Sequence, residues 1–487
     1  MIARELEHRR NYATTCAAML FLLLLGPDRA FAQRAPTSAN RPWHSSQEEP
    51  IEDAARKLRQ LRFEIDPNQT YSLAELIDLA ERHNPETRVA WERARAQAAA
   101  LGIARSELYP ALAAAALSQT ERAEDLSGAR FVRQTIQDFQ VELELNYTVF
   151  DFGARSGRIE AAKAQTLATN FAFNDTHRRV IYQVEQAYYR LLNALGQEDA
   201  ASASLSNAKT VQQAAEERLA HGLATLPDVL EARSATAQAE FDLQAVIGSE
   251  EIARGDLATA VGTFATAVIQ VQPLDQVPAP DAIDDAVDPA IDRALVQRPD
   301  LLRQVAEIRS ASARIREARA AYYPELTLNV VPAGHSAYGI QQQFPRAHTA
   351  DLVGGVSVNL WWTVFDGGAR KNKLAQARAD AHAAEAQAEV TRNRIADEVW
   401  AAYSNLNTAF RQRRASLALL EAANQSYAAA LESYSYGLRN LLDVTATQRT
   451  LARARSADVL ARTQVLTALA DLAFRTGDSI QQNATKP

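Results

Sequence analysis

The segment Thr148-Val149-Phe150-Asp151-Phe152-Gly153-Ala154-Arg155 returns as Thr363-Val364-Phe365-Asp366-Gly367-Gly368-Ala369-Arg370, with seven of eight positions identical at an offset of 215. The match is not local. Pro85 and Pro299, Arg105 and Arg319, and Tyr109-Pro110 and Tyr323-Pro324 repeat at an offset of 214, while Tyr188 and Tyr403, Gly222 and Gly437, and Asp228 and Asp443 repeat at 215. Arrays with units of about 20 to 50 residues stack into solenoids; a period this long instead means two copies of one large unit in one chain. Any fold must accommodate both copies, and function is to be sought in their assembly.

The stretch from Met1 to Ala32 belongs to neither copy. Arg4, Arg9 and Arg10 precede an apolar run from Cys16 to Leu25, and Ala30-Phe31-Ala32 stands before Gln33. This is the pattern of a cleaved export signal, and the run is shorter than the about 20 residues of a spanning helix. The single cysteine, Cys16, lies at the start of the run, so a lipid-anchored cysteine is not expected and the mature chain has no thiol or disulfide chemistry. Removing four Lys/Arg and three Asp/Glu takes the formal charge from −7 to −8, a balance that argues against a nucleic-acid partner. No later stretch is apolar enough for a membrane helix, so a membrane crossing would have to be a β-barrel.

A polar arm over 33–70 contains Pro36, Pro42 and Pro50, with one short helix expected near Ile51 to Phe63. The first repeat runs over 71–262. Ser72-Leu73-Ala74-Glu75 fits a capping box, and Pro85 suits the first turn of a helix reaching Glu107. Residues 263–290 read as an irregular, acidic connection with Pro273, Pro278, Pro280 and Pro289 and with Asp281, Asp284, Asp285 and Asp288; the second repeat covers 291–475 and a polar tail 476–487.

Two patterns recur within each repeat. Val141 to Val149 alternates apolar and polar residues, as does the stretch with Val356, Val358, Leu360, Trp362 and Val364 on one face and Ser357, Asn359 and Thr363 on the other. With weaker runs after Pro110 and Pro324, this predicts four strands near 112–120, 141–149, 326–332 and 356–364, each close to the length of a tilted membrane strand. A soluble antiparallel sheet shows the same alternation. The second pattern is helical: Ser156 to His221 reads as one helix of about 65 residues, close to 100 Å. Its stripe of Val180, Val184, Ala187, Leu191 and Leu195 is matched by Ile395, Val399, Ala402, Leu406 and Phe410, coiled-coil packing positions. A returning helix from Pro227 to Val261 and the one ending near Glu107 together nearly match the long helix in length.

Gly222 and Gly437 close the long helices. Thr225 and Asn440 then stand three positions before Asp228 and Asp443, so both aspartates fit local helix capping. The alternative is a ring of carboxylates at a narrow mouth, favouring cations. No catalytic constellation, cofactor motif or metal motif emerges, the histidines are scattered singly, and no buried charge pair is evident. The chain is not expected to be an enzyme.

The duplicated Thr-Val-Phe-Asp-x-Gly-Ala-Arg junction, the Tyr-Pro strand starts, the Val-x-x-Ala-Tyr on both long helices (Val184 to Tyr188, Val399 to Tyr403) and the hairpins from Arg218 to Leu223 and from Tyr434 to Leu438 resemble the TolC-like outer-membrane efflux proteins of Gram-negative bacteria. The likeness covers Tyr71 to Arg475. It implies a mainly α fold with membrane β: long helical hairpins forming a trimeric α-barrel in the periplasm, plus a transmembrane β-barrel of 12 strands, four per chain, in the outer membrane. Four strands alone cannot close, about eight leave an interior filled by side chains, and three chains leave room for solvent. The resemblance also implies a periplasmic adaptor and an inner-membrane pump as partners, with adaptor contacts at Arg218, Gly222, Leu223, Tyr434, Gly437 and Leu438. Mouth carboxylates would be Asp228, Glu231 and Asp443, and the strand-to-helix junctions Asp151, Gly153, Asp366 and Gly368. Relatives often carry a second acid one turn after the Asp443 equivalent, where this chain has Ala446.

The expected function is a passive outer-membrane channel of a tripartite export system, carrying drugs, toxic compounds or metals. The outer-membrane duct of a type I protein secretion system and a periplasmic coiled-coil adaptor are the alternatives. If Met1 to Ala32 is an export signal, N-terminal sequencing of protein purified from outer membranes should begin near Gln33. An intact N-terminus in the inner membrane would contradict that reading.

Overall fold

The structure, a computed structural model, describes residues 40, 48–58, 63–127, 130–278, 280, 286–341 and 346–478. The signal segment, most of the arm, Asp281, Asp284, Asp285 and the end of the tail lie outside the described residues. The chain divides into two units, Met1–Arg62 and Phe63–Pro487. In the first, helix α1 spans Glu48–Leu58 and carries an exposed Asp53–Arg56 pair at 3.2 Å. Phe63, expected at the end of this helix, is not helical.

In the second unit, α2 (Leu73–His83) starts with the capping box expected from sequence: the Ser72 N–H donates to Glu75 Oε2 at 2.8 Å and the Glu75 N–H to Ser72 Oγ at 3.4 Å. Asn84 caps α3 (Pro85–Ser106) by accepting from the Glu86 N–H at 2.8 Å. The long helices α4 (Ala154–Ala220) and α8 (Ala369–Ser435) have 67 residues each, and the returning helices α5 (Leu226–Val261) and α9 (Leu441–Thr476) have 36 each. Between the halves lies α6 (Val287–Gln297), followed by α7 (Pro299–Ala320). Asp288 and Pro289, expected in the irregular connection, are therefore in the first turn of a helix, where an acid and a proline are favoured.

Length decides which helices are neighbours. Towards the strands, the helices run in the order α3, α4, α7, α8; towards the hairpin ends the order is α5, α4, α9, α8. Each returning helix and its short companion together line the side of a long helix, as their summed lengths predict. Within this layer of long helices, α3 and α5 lie at one edge and α8 at the other, with the short helices α2 against α5 and α6 against α8.

Four long strands, β2 (Ala111–Ser127), β3 (Arg130–Phe150), β5 (Glu325–Gln341) and β6 (Ala347–Trp361), form one antiparallel sheet in the order β2-β3-β5-β6. They are longer than the sequence reading gave, because polar and charged positions beyond the apolar alternation remain paired. The fourth ends at Trp361, so Trp362 to Val364, expected in the strand, lie past it. Pairing between β3 and β5 skips Leu143 and Glu144, opposite Pro332, which has no N–H to donate. A two-residue parallel pair, β1 (Thr70–Tyr71) with β4 (Gln270–Val271), has too little length to show periodicity and was not foreseen.

Val180, Val184, Ala187 and Leu191 of the predicted stripe are buried, with Leu195 partly so, against Leu76, Leu257 and Ile269. Truncating a fully buried leucine such as Leu191 to alanine costs about 2–5 kcal/mol. In the second copy, Ile395 and Val399 pack against Ala290 and Ala294 of α6. Beside this core is a buried charge cluster that the sequence did not reveal, since its members come from distant parts of the chain. Arg298 is 3% exposed and bonds Asp300 at 2.7 Å, Glu398 at 2.7 Å and the Arg475 carbonyl at 3.3 Å. Arg178, 1% exposed, donates to the Phe474 carbonyl at 2.6 Å and to Asp175 at 2.9 Å. Burial pushes Asp300 up, but its bonds to Arg298 outweigh this and hold it below the usual carboxylate range. Removing one partner would strand a buried charge, at a cost of about 3–5 kcal/mol.

Burial also pushes the Glu185 carboxyl up, to about 7. It lies one turn before Tyr189, with no ion-pair partner among the described residues. Folded Glu185 keeps its proton where the unfolded residue, with its ordinary value of 4.5, has lost it. Stability on this account is full below about pH 4.5 and falls as the pH rises to about 7. Glu185→Gln is expected to be neutral at about pH 4.5 and stabilising by about 1–3 kcal/mol at about pH 8. Thermal melts across this range check it; an effect independent of pH would exclude burial of the carboxyl as the cause.

Candidate functional site

Both hairpin ends close by the same backbone chemistry. The Leu223 N–H bonds the Arg218 carbonyl at 2.8 Å and the Gly222 N–H bonds that of Leu219 at 2.9 Å; Leu438 and Gly437 repeat this on Ser433 and Tyr434 at 2.9 and 3.0 Å. The glycines have φ of 69° and 74°, which side chains with a Cβ rarely adopt. Leu223, Leu438 and Tyr436 stand exposed at these ends.

The equivalent aspartates have different partners. Asp228 accepts from the Thr225 hydroxyl at 2.7 Å and the Thr225 N–H at 2.9 Å, and these two bonds hold it below the usual carboxylate range. The Asp443 N–H donates to Asn440 Oδ1 at 2.9 Å and its carbonyl accepts from the Thr447 hydroxyl at 3.1 Å, but its carboxylate has no partner among the described residues. Glu231 pairs with Arg449 of α9 at 3.0 Å. That cross-hairpin pair, between positions 218 apart, left no sequence signal. Arg218 makes a second link, donating to the Tyr434 carbonyl at 2.8 Å and lying 4.7 Å from the Tyr434 ring centroid.

At the other end of the long helices, one carboxylate organises each strand-to-helix turn. Asp151 accepts from the Gly153 N–H at 3.2 Å and from the Arg155 N–H and Nε at 2.7 and 3.1 Å. Asp366 does the same with Gly368 at 3.0 Å and with Arg370 at 3.0 and 2.7 Å. Gly153 and Gly368 have φ of 96° and 91°. Phe152 takes a positive φ of 49° where the second copy has Gly367; its ring stacks on Tyr323 at 4.9 Å, a contact that offsets the backbone strain.

The sheet has two chemically distinct faces. On one, Asn329 Nδ2 donates to Asn146 Oδ1 at 2.7 Å and Glu144 Oε1 at 3.2 Å, Asn146 Nδ2 donates to Glu144 at 2.9 Å, and His335 approaches Asp138 at 3.4 Å. Asn359 and Thr327 are paired on this same face. On the other, Leu112, Leu143, Val356, Val358 and Leu360 are exposed. Toward one end of this apolar face lie Phe139 and Tyr338, and past the other end of the strands stand Tyr322, Tyr323 and Trp362, all exposed.

The family model described as outer membrane efflux protein matches residues 76–263 and 290–478, both repeats of this architecture. The chain belongs to the outer membrane efflux protein family. Protein CyaE of Bordetella pertussis is 30% identical over 404 residues, 82% of this chain and 83% of that protein. Outer membrane protein OprJ of Pseudomonas aeruginosa is 26% identical over 407 residues, 82% of each chain. The solved structure of the outer-membrane channel OprN shares the fold, with a TM-score of 0.73 at 21% identity, over 85% of this chain and 93% of that one. As an outer membrane efflux protein, this chain resides in the outer membrane of a Gram-negative bacterium with its long helices in the periplasm.

The free Asp443 carboxylate and the capping Asp228 carboxylate should behave differently. In planar bilayers, Asp443→Asn is expected to lower cation preference and weaken block by multivalent cations. Asp228→Asn is expected to change selectivity less, and to loosen the start of α5 by a fraction of a kcal/mol to about 1 kcal/mol. Equal selectivity in wild type, both single mutants and the double mutant would leave capping as the role of both.

Proposed function

We propose that three copies of this outer membrane efflux protein form a passive duct, which carries small molecules from an inner-membrane pump and its periplasmic adaptor to the cell exterior. The observation that carries this reading is the sheet with two unpaired edges, one hydrogen-bonded polar face and one uncovered apolar face. Peptide groups in lipid must all be paired, so β2 of one copy would join β6 of the next until the ring closes. Three copies give twelve strands and a solvent-filled lumen lined by the Asn146, Asn329 and Asn359 face. A periplasmic scaffold would have no use for an uncovered apolar sheet face of this extent.

The helix edges support the same count of interfaces. Phe241 on α5 is 71% exposed, about 22 Å from the hairpin end; Leu417 and Leu419 on α8 are exposed at nearly the same height. A head-to-tail contact joins unlike edges and closes into a ring. The exposed tip residues Leu223 and Leu438, with the backbone held by Arg218, Gly222, Tyr434 and Gly437, would meet the adaptor. In this reading Asp443 rings the mouth and the energy comes from the pump, the chain itself performing no catalysis.

Purified protein should migrate as a heat-sensitive trimer and conduct ions in planar bilayers. Leu145→Arg or Leu360→Arg, placing charge on the apolar face, should cost about 2–4 kcal/mol near the bilayer midplane and reduce trimer recovery. Ser357→Arg on the polar face should assemble and alter conductance instead. A monomer without conductance, or equal damage from both faces, would refute the assembly.

A further inference from the structure

Away from the tips, α5, α4 and α9 border a groove of about 730 Å³, within the range of about 300–1,000 Å³ that small-molecule sites occupy. Small side chains line it, among them Ala200 and Ala201 of α4 and Ala452 of α9. The lining is mixed: Asp242 of α5 accepts from Gln238 Nε2 at 2.8 Å, and among the polar groups of α9 are Gln448 and Arg453. Gln448 is 7% exposed, and its Oε1 is buried with no hydrogen-bond partner in the chain. Native folds pair nearly all such atoms, so an unpaired one that lines a groove calls for a ligand. Arg453, five positions further along α9, lines the same groove, is exposed, and has no ion pair among the described residues. Arg449, between them, is already committed to Glu231 at 3.0 Å.

We propose that this groove binds small amphipathic organic anions, each with a flat apolar body, a carboxylate and an N–H or O–H donor. The planar guanidinium of Arg453 would hold the carboxylate through two parallel bonds. The donor would satisfy Gln448 Oε1, and the alanine-lined floor would take the apolar body. Gln448 and Arg453 are about 7.5 Å apart along the helix axis and about 140° apart around it, so the ligand's two polar ends must be separated by more than the axial rise. The consequence, that exported solutes of this class pause in the duct wall, rests on the duct reading above; the binding itself does not.

N-acetyl-L-tryptophan is a suitable probe because it joins a carboxylate, N–H donors and a flat apolar indole in one small molecule. N-acetyl-L-tryptophanamide is its neutral counterpart. Calorimetric titration of the full, detergent-solubilised protein should give saturable binding at one site per chain, about tenfold tighter for the anion than for the amide. Arg453→Gln should abolish that preference, and Gln448→Leu should weaken both probes by about fivefold or more. Ser234→Trp, on the exposed α5 wall of the groove, should block both probes without touching the core, which keeps the test decisive if Gln448→Leu impairs folding. Absence of saturable binding, equal affinity for anion and amide, or indifference to Arg453→Gln and Ser234→Trp would overturn the proposal. Planar-bilayer conductance of the same preparation separates the two ideas: conductance without binding removes the site and leaves the duct, and binding without conductance does the reverse.

Discussion

A four-stranded sheet that is apolar on one face and hydrogen-bonded on the other leaves two rows of peptide groups unpaired, and the rest of the molecule is arranged around that deficit. Within the chain each repeat supplies one hairpin, β2 with β3 and β5 with β6, and the central β3·β5 ladder joins the repeats. Duplication thereby doubles the width of the sheet without closing it. The helices inherit the same incompleteness. Because α4 and α8 leave the sheet through identical Asp-Gly-Arg turns, the layer of helices is open at the same two sides as the sheet. A neighbour that completes the strands completes the helices too.

Much of this was legible because the signals were local. The Asp151 and Asp366 turns, the capping box at Ser72, the glycines at 222 and 437 and the stripe from Val180 to Leu191 all act over a few residues, so sequence spacing carried their geometry. Strand length was underestimated for a physical reason: beyond the apolar alternation, pairing continues through residues such as Gln134, Thr135 and Gln341, whose side chains give no periodic signal. What stayed hidden was long-range and electrostatic. Arg298 reaches Glu398 and Arg475, Arg178 reaches Phe474, and Arg449 reaches Glu231; no spacing rule connects such residues before the fold brings them together.

The two repeats have diverged most where each must do something different with one backbone shape. Asn84 and Arg298 hold equivalent positions before α3 and α7, and both reach a carbonyl at the end of a returning helix, Ala260 at 2.9 Å and Arg475 at 3.3 Å. Asn84 does so as a neutral cap. Arg298 does so as the centre of a buried charge cluster that also ties down α8. A neutral amide leaves no charge to compensate, whereas the guanidinium is tolerable only because Asp300 and Glu398 surround it. At this position the second repeat is thus tied to its long helix by an ion pair that Asn84 does not make, with geometry that fails if any partner is lost.

The hairpin ends show the same logic with the opposite result. Asp228 and Asp443 occupy one position in two copies of a motif, yet Thr225 offers both a hydroxyl and an N–H to the first, while Asn440 caps with its own side chain and leaves the second untouched. The Thr225 hydroxyl donates to the acid, whereas the Asn440 side-chain oxygen accepts from the Asp443 N–H. The residue at the N-cap thus accompanies the difference: a carboxylate held by the helix start in one repeat and one without a partner among the described residues in the other. At these ends Arg449 pairs with Glu231 and Arg218 donates to the Tyr434 carbonyl, while the Asp443 carboxylate has no hydrogen-bond or ion-pair partner among the described residues.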